Sequence, residues 1–212
     1  KVSILNEKSN AIQRMTSISS ENVSDMTFSS DGSFLIVSTS SGKLLLYNTK
    51  NYNVAVKEFT YPSGINSIQN FVISGIEYLL ISEGGNNHII NLSSNNEINI
   101  SELEKLKSSK NIVSKNGRYL ASYQNEGILL YSLSIANSKL TLDAVSRIGE
   151  SAGISILKFL GSNLIATGSS KGVVRVYRVS DEKGVSFIKE IKNHKNVKIS
   201  GIDMYQDSNE TL

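Results

Sequence analysis

The sequence of 212 residues has no cysteine, no tryptophan, one proline and only two histidines. Without cysteine there is no disulfide framework, no thiolate zinc site and no cysteine nucleophile. No run of about 18 apolar residues occurs, which excludes a membrane-spanning helix. Hydrophobic residues make up 39% and charged residues 19% of the chain, which is the balance of a folded globular protein rather than a disordered one.

Side chains that commonly carry catalysis or bind metals are also scarce. The two histidines, His88 and His194, lie far apart in the chain, and neither has another metal-type ligand at short spacing. His88 follows the hairpin sequence Gly84–Asn87, so we expect it to be an exposed turn residue. The chain contains no nucleophile elbow and no Walker loop. We therefore predict no catalytic residue, no cofactor and no metal site, and so no enzyme.

The chain repeats one pattern of short strands and turns. Its first copy, residues 23–47, has an apolar strand, a turn at Asp31-Gly32, a buried strand, a second turn at Ser41-Gly42 and a third strand. Residues 154–177 show the same order of features, and weaker copies lie at 65–92 and 112–131. The predicted third strands end, with spacings of 45, 39 and 46 residues, at Tyr47, Leu92, Tyr131 and Tyr177.

A fourth strand is predicted after each third strand. These four strands alternate apolar and polar residues more clearly than the second strands do, as expected of strands half exposed to water. They are Val54–Phe59, Glu97–Ile100, Leu140–Val145 and Val185–Ile191. Four-stranded units repeated about every 40–45 residues are typical of a β-propeller, whose outermost strand is the wetter one. An antiparallel sandwich is the alternative fold with regularly spaced strands.

The repeated units resemble WD repeats. The residues that carry the resemblance are the turn Phe28–Gly32, the small-residue strands Val37–Ser40 and Ala166–Ser169, and the aromatic residues at the third strands. His194 resembles the histidine that precedes the first strand of a blade in that family. Tyrosine or leucine stands where the family has tryptophan, and no blade carries the complete Asp–His–Ser/Thr–Trp network. The predicted fold is an all-β propeller of four-stranded antiparallel blades, incomplete in this chain.

The domain prediction is a single propeller fragment over residues 1–212. Its predicted parts are the outer strands of a preceding blade (1–20, with strands near Val2–Leu5 and Ile12–Ile18), four blades (23–60, 65–101, 110–148 and 154–192) and the start of a further blade (197–212, with a strand at Val197–Tyr205). Since each blade buries its faces against its neighbours, we expect a missing segment or a second chain to complete the ring. Ser101–Lys107 has the spacing of a capping box and predicts either a helical turn or a continued outer strand.

The net charge is only +3, because the chain contains 22 basic and 19 acidic residues. This does not amount to the dense basic face that is typical of nucleic-acid binding. The one basic concentration joins the last blade to the next first strand, and two interpretations stay open for it: a solvated surface, or a partner-binding rim. Its residues are Lys189, Lys192, His194, Lys195 and Lys198.

The predicted function is a non-catalytic scaffold for protein–protein interaction. The WD-repeat resemblance implies a subunit of a multiprotein complex in the cytoplasm or nucleus, with other proteins bound through the rim loops. Two alternatives stay open. One is an RNA- or ribosome-associated subunit, for which nucleic acid would be the partner at the basic rim. The other is a vesicle-trafficking or GTPase exchange-factor propeller.

Overall fold

A computed structural model describes residues 2–6, 11–15, 22–94, 98, 100, 110–124, 127–149, 153–181, 183–192 and 196–203. Every regular element within these residues is a β-strand, which confirms the all-β prediction. In this part of the chain no helix is long and apolar enough to cross a bilayer. The chain forms two compact units, residues 1–104 with 137–139 and residues 105–136 with 140–212. The division into one propeller fragment with the blade bounds given above stays a prediction.

The first unit contains three antiparallel sheets in which each strand pairs with the next one along the chain. They are β1 (Val2–Asn6) and β2 (Ala11–Met15); β3 (Val23–Phe28), β4 (Phe34–Thr39), β5 (Lys43–Asn48) and β6 (Lys57–Thr60); and β7 (Ile65–Ile73), β8 (Ile76–Glu83) and β9 (Asn86–Asn91). Beside β9, the backbone N–H of Ile98 donates to the carbonyl of Ile89 at 2.8 Å, where the fourth strand of this sheet is predicted. Two residues of that predicted strand, Glu97 and Asn99, lie outside the described residues.

The second unit contains two sheets of four antiparallel strands, again in chain order. They are β10 (Lys110–Val113), β11 (Tyr119–Gln124), β12 (Gly127–Ala136) and β13 (Lys139–Ile148); and β14 (Ile154–Leu160), β15 (Leu164–Ser169), β16 (Val174–Ser180) and β17 (Gly184–Ile191). A two-residue turn, Asn137 and Ser138 with φ of 50° and 56°, joins β12 to β13. Positive φ at both positions is the geometry of the hairpin turn that matches strand twist.

The same side-chain hydrogen bonds close the first turn in both units. The Ser29 hydroxyl accepts from the N–H of Phe34 at 2.9 Å and donates to the Asp31 carboxylate at 2.6 Å. The turn at residues 114–119 repeats both bonds, with Asn116 in place of Asp31. The repeat detected in the sequence is therefore a repeat of turn structure, because short polar side chains at fixed positions satisfy the turn backbone.

Apolar residues bury the faces of the sheets within each unit. In the first unit, one cluster joins the β3–β6 sheet to the β7–β9 sheet and includes Ile36, Leu44, Ile68 and Ile81, each 6% exposed or less. In the second unit, the cluster between the β10–β13 and β14–β17 sheets includes the fully buried Ile165. Unbroken apolar runs such as those of β4 and β5 are buried on both faces of the sheet, as the sequence pattern predicted.

The first strands of neighbouring sheets lie against each other, β3 against β7 in the first unit and β10 against β14 in the second. Their polar contacts join residues that are one repeat apart in sequence. The Asp25 carboxylate accepts from the N–H of Ile68 at 3.0 Å, and the Thr27 hydroxyl donates to the Asn70 side-chain oxygen at 3.2 Å. Both pairs are separated by 43 residues. In the three four-stranded sheets of the described residues, we therefore call the first strand the inner one and the fourth the outer one.

Several predicted bounds were wrong. The predicted outer strand Val54–Phe59 is the shorter β6, because residues 53, 54 and 56 form bends and pairing with β5 begins where Val56 donates to the carbonyl of Leu46 at 2.8 Å. The third strands do not all end at their aromatic residue: β12 continues to Ala136, because it forms a long hairpin with β13.

The chain after β17 is described only in part. The predicted strand Val197–Tyr205 was wrong over residues 197–203, which form no β-strand, although Ile199 donates from its N–H to the carbonyl of Ser169 at 3.1 Å. The start of a further blade at 197–212 stays a prediction, and residues 204–212 lie outside the described residues. The predicted helical turn or strand at Ser101–Lys107 also lies outside them.

Candidate interaction surface

The described part of the predicted rim occupies two places in the second unit. Lys189 is exposed on the outer strand β17, in register with Val176, and Lys192 is exposed just after that strand. Lys198 is exposed beside Ile199, which contacts the inner strand β14. His194 and Lys195 lie outside the described residues. The five predicted rim residues therefore stay a prediction as a group.

The inner end of the second unit is held by a chain of polar contacts. The ammonium of Lys110, at the start of β10, donates to the carbonyl of Ser155 at 2.8 Å. The Ser155 hydroxyl donates in turn to the carbonyl of Ile199 at 2.6 Å. Burial lowers the pKa of Lys110, and the charge of Lys198 lowers it further. The two cationic side chains therefore interact electrostatically and make the local potential at this end more positive.

A second charged group lies at the outer strand. The Glu190 carboxylate accepts from the ammonium of Lys192 at 2.7 Å and from the Arg175 guanidinium at 2.6 Å. These bonds, from Lys192 first and Arg175 second, lower the pKa of Glu190 below its ordinary value. Since one carboxylate faces two cations, the group keeps a net positive charge.

A further ion pair joins inner strand β14 to the segment after β17. The ammonium of Lys158 lies 3.1 Å from the Asp203 carboxylate, and both side chains are largely exposed. Exposed pairs of this kind contribute at most about 1 kcal/mol to stability. Together with the bond from Ser155 to Ile199, the pair positions the backbone on which Lys198 lies.

The expectation for His88 was wrong. His88 lies within β9 rather than in the turn, and its side chain is 28% exposed. Its Nε2 lies 2.9 Å from the Glu83 carboxylate, which is 2% exposed and also accepts from the N–H of Ser63. The Tyr61 ring packs on the imidazole with 4.9 Å between centroids. Burial of Glu83 requires partners, so His88 stabilises the loop before β7 against the end of β8.

Sequence reasoning missed Lys110, Arg175 and Glu190 as parts of the charged surface. The repeat length could have indicated the contact of Lys110, because this residue precedes its partner Ser155 by 45 residues, which is one repeat. No signal linked Arg175 to Glu190, since pairing of β16 with β17 across a β-bulge sets that contact. Among the described residues, no three His, Cys, Asp or Glu side chains are grouped so that they could hold a metal ion.

Four-stranded antiparallel sheets with adjoining inner strands define the class: this is a β-propeller fold with blades like those of WD repeats. Neither a scan of protein-family models nor a comparison with curated proteins finds a match. Among the solved structures that match is the β-propeller domain of Cps50 (Swd1) from Myceliophteria thermophila, with a TM-score of 0.66 and 10% sequence identity. The match covers 90% of this chain and 64% of that domain, so the chain spans less than two thirds of its length. At this identity the likeness establishes the fold.

Proposed function

We propose that this chain is a non-catalytic scaffold that binds other proteins within a multiprotein complex. The fold supports the proposal, because antiparallel sheets with buried faces form a rigid frame on which loops and strand ends can carry binding residues. The observation that carries it is the pair of positively charged groups in the second unit. One contains Lys110 and Lys198 at the inner strands. The other contains Arg175, Glu190 and Lys192 at the outer strand, where Lys189 is also exposed.

The rim residues are proposed to act by long-range attraction of an acidic partner surface. Complementary charge mainly raises the rate of association and fixes the orientation of a partner. We include His194 and Lys195 in this rim on their sequence position between Lys192 and Lys198. The proposed partners are proteins, and a further segment or a second chain that completes the ring belongs to the same proposal.

Affinity purification of the full-length protein, followed by identification of the co-purifying molecules, tests the scaffold role. We expect one or more proteins at constant stoichiometry, and charge reversal of Lys192, Lys195 and Lys198 to glutamate weakens their retention in a salt-dependent manner. Reversal of the exposed Lys50, Lys115 and Lys139 to glutamate changes the net charge by the same amount and is the matched control. Retention that is unchanged by the triple reversal would overturn the role of the rim.

The same purification, together with a nucleotide-release assay, distinguishes the scaffold from the two alternative functions. Co-purification of RNA that nuclease treatment removes would replace the scaffold by an RNA-associated subunit. Accelerated nucleotide release from a small GTPase would indicate an exchange factor. Recovery of the protein without any stoichiometric partner would overturn the scaffold proposal.

A further inference from the structure

The outer strand β17 exposes two large apolar side chains next to each other. Phe187 is 59% exposed and Ile188 is 44% exposed, within a run of four exposed residues from Ser186 to Lys189. In a regular strand, neighbouring side chains point to opposite faces. Here the register with β16 shifts between Val176 and Tyr177, so the strand carries a β-bulge. A bulge inserts one extra residue and interrupts the alternation of faces, so these two neighbouring side chains need not point to opposite sides of the sheet.

On the outer strands β6 and β13, large apolar residues pack against the core instead of facing solvent. Phe59 of β6 is partly buried against the core of the first unit. On β13, Leu140 and Ile148 are buried, and Val145 packs against the core of the second unit. The exposure of large apolar residues on β17 is therefore not shared by β6 and β13, the two other outer strands among the described residues. Adjacent exposed apolar residues with a polar border are typical of a protein-interaction site.

The charge around these residues indicates what kind of segment fits them. Residues 183–192 contain three lysines and one glutamate, which gives a net charge of +2. The glutamate, Glu190, already accepts from Arg175 and Lys192. A second copy of this chain is a poor occupant, because a twofold interface would bring the net positive charge of residues 183–192 against itself. An acidic segment with apolar side chains complements both the charge and the exposed surface.

We propose that Phe187, Ile188, Lys189 and Lys192, the outer-strand patch, bind an extended acidic segment of a partner protein. The apolar side chains of the segment cover Phe187 and Ile188, and its carboxylates lie at the two lysines. The inference deepens the proposed scaffold function and rests on it. It assigns partner recognition to the outer strand, whereas Lys198 lies at the inner strands.

The test measures binding of a defined probe to the 212-residue chain by fluorescence anisotropy. The probe is a fluorescein-labelled 12-residue peptide of alternating valine and aspartate. We expect saturable binding that weakens at high salt, because exposed charges are screened. Peptides that alternate valine with lysine, or serine with aspartate, bind at least about tenfold more weakly, since each lacks one of the two complementary features.

Two variants locate the site, and each has a matched control. The double substitution Phe187→Ser and Ile188→Ser is compared with Val54→Ser and Val56→Ser, which are 69% and 53% exposed before β6. We expect at least a tenfold loss of affinity for the β17 variant and less than a twofold change for the control. Lys189→Glu is expected to weaken binding several-fold, in comparison with Lys139→Glu on β13.

Three other outcomes would contradict either the outer-strand patch or the scaffold function. Equal binding by wild type and the Phe187 and Ile188 variant would overturn the patch while leaving the scaffold function intact. Dimerisation in light scattering that the same variant abolishes would show that a second copy occupies the patch instead. If the full-length protein has no stoichiometric partner, the scaffold function fails, whether or not the peptide binds.

Discussion

Replacement of Gly42 by alanine tests how closely the turn after β4 approaches the loop before β7. Gly42 has a φ of 94°, and a methyl group built on it would overlap the carbonyl oxygens of Tyr61 and Ser63. Both are backbone atoms, so the overlap cannot be relieved by a change of side-chain rotamer. The carbonyl of Gly42 also accepts from the N–H of Tyr61 at 2.8 Å, and a shift of the turn would weaken this bond.

Gly85 provides a matched control in the same unit. Its φ is 97°, close to that of Gly42, but no atom lies within 4 Å of a methyl group built on it. Alanine at positive φ costs about 1–2 kcal/mol, which is partly offset by a gain of about 0.4–1 kcal/mol from restriction of the unfolded chain. We therefore expect Gly85→Ala to lower the free energy of unfolding by about 1 kcal/mol.

Gly42→Ala has the same backbone cost in free energy as Gly85→Ala. In addition, its methyl group overlaps the carbonyl oxygens of Tyr61 and Ser63. We expect its free energy of unfolding to fall by more than about 3 kcal/mol, in the range that marks a specific structural conflict. Urea denaturation followed by far-ultraviolet circular dichroism measures both variants against the wild type, and their difference isolates the overlap. Equal stability of the two variants within about 0.5 kcal/mol would refute the close approach, because such a difference lies within ordinary surface effects.

Three further predictions concern the polar turns and the packing of the units. Hydrogen bonds from Ser29 and Ser33 lower the pKa of Asp31 from 3.8 to about 2. Its contribution to stability is therefore present above pH 3.8 and lost as the pH falls through about 2, so urea denaturation of Asp31→Asn should differ from wild type at neutral pH and converge near pH 2. His88→Ala should lower the free energy of unfolding by about 2 kcal/mol, because it removes a charged hydrogen bond from a buried carboxylate. Gly168→Ala would press on Ile199, whose Cγ2 lies 2.7 Å from the added methyl group, and should accelerate amide hydrogen exchange at that residue.

Each of these three predictions has a control variant. Asn116→Ala removes the equivalent acceptor of the second unit without a titrating group, so its effect should not vary between pH 2 and 7. Gly201→Ala meets no atom within 4 Å and should leave exchange at Ile199 unchanged. Glu83→Gln keeps one oxygen for the N–H of Ser63, so it should cost less than the His88 substitution.

The sequence alone predicted the repeating units well, because the features that define them are local. A turn such as Ser29–Phe34 is closed by its own side chains, and a buried strand such as β4 is marked by its own apolar run. Contacts between inner strands also follow the repeat, since Asp25 meets Ile68 and Lys110 meets Ser155 at separations of 43 and 45 residues. A residue one period further along the chain occupies the same level of the next sheet.

Tertiary structure decided the features that depend on a register or on a neighbouring sheet. The sequence predicted His88 as an exposed turn residue, but pairing of β8 with β9 brings it to the buried Glu83. The one-residue bulge at Phe187 and Ile188 likewise arises from the pairing of β17 with β16, which no local pattern encodes. The sequence thus determined which strands form and in what order they repeat, because turn chemistry and apolar periodicity act over a few residues. Only the three-dimensional fold determined which side chains meet or remain exposed, because a shift of one residue in strand pairing moves a side chain to a different surface.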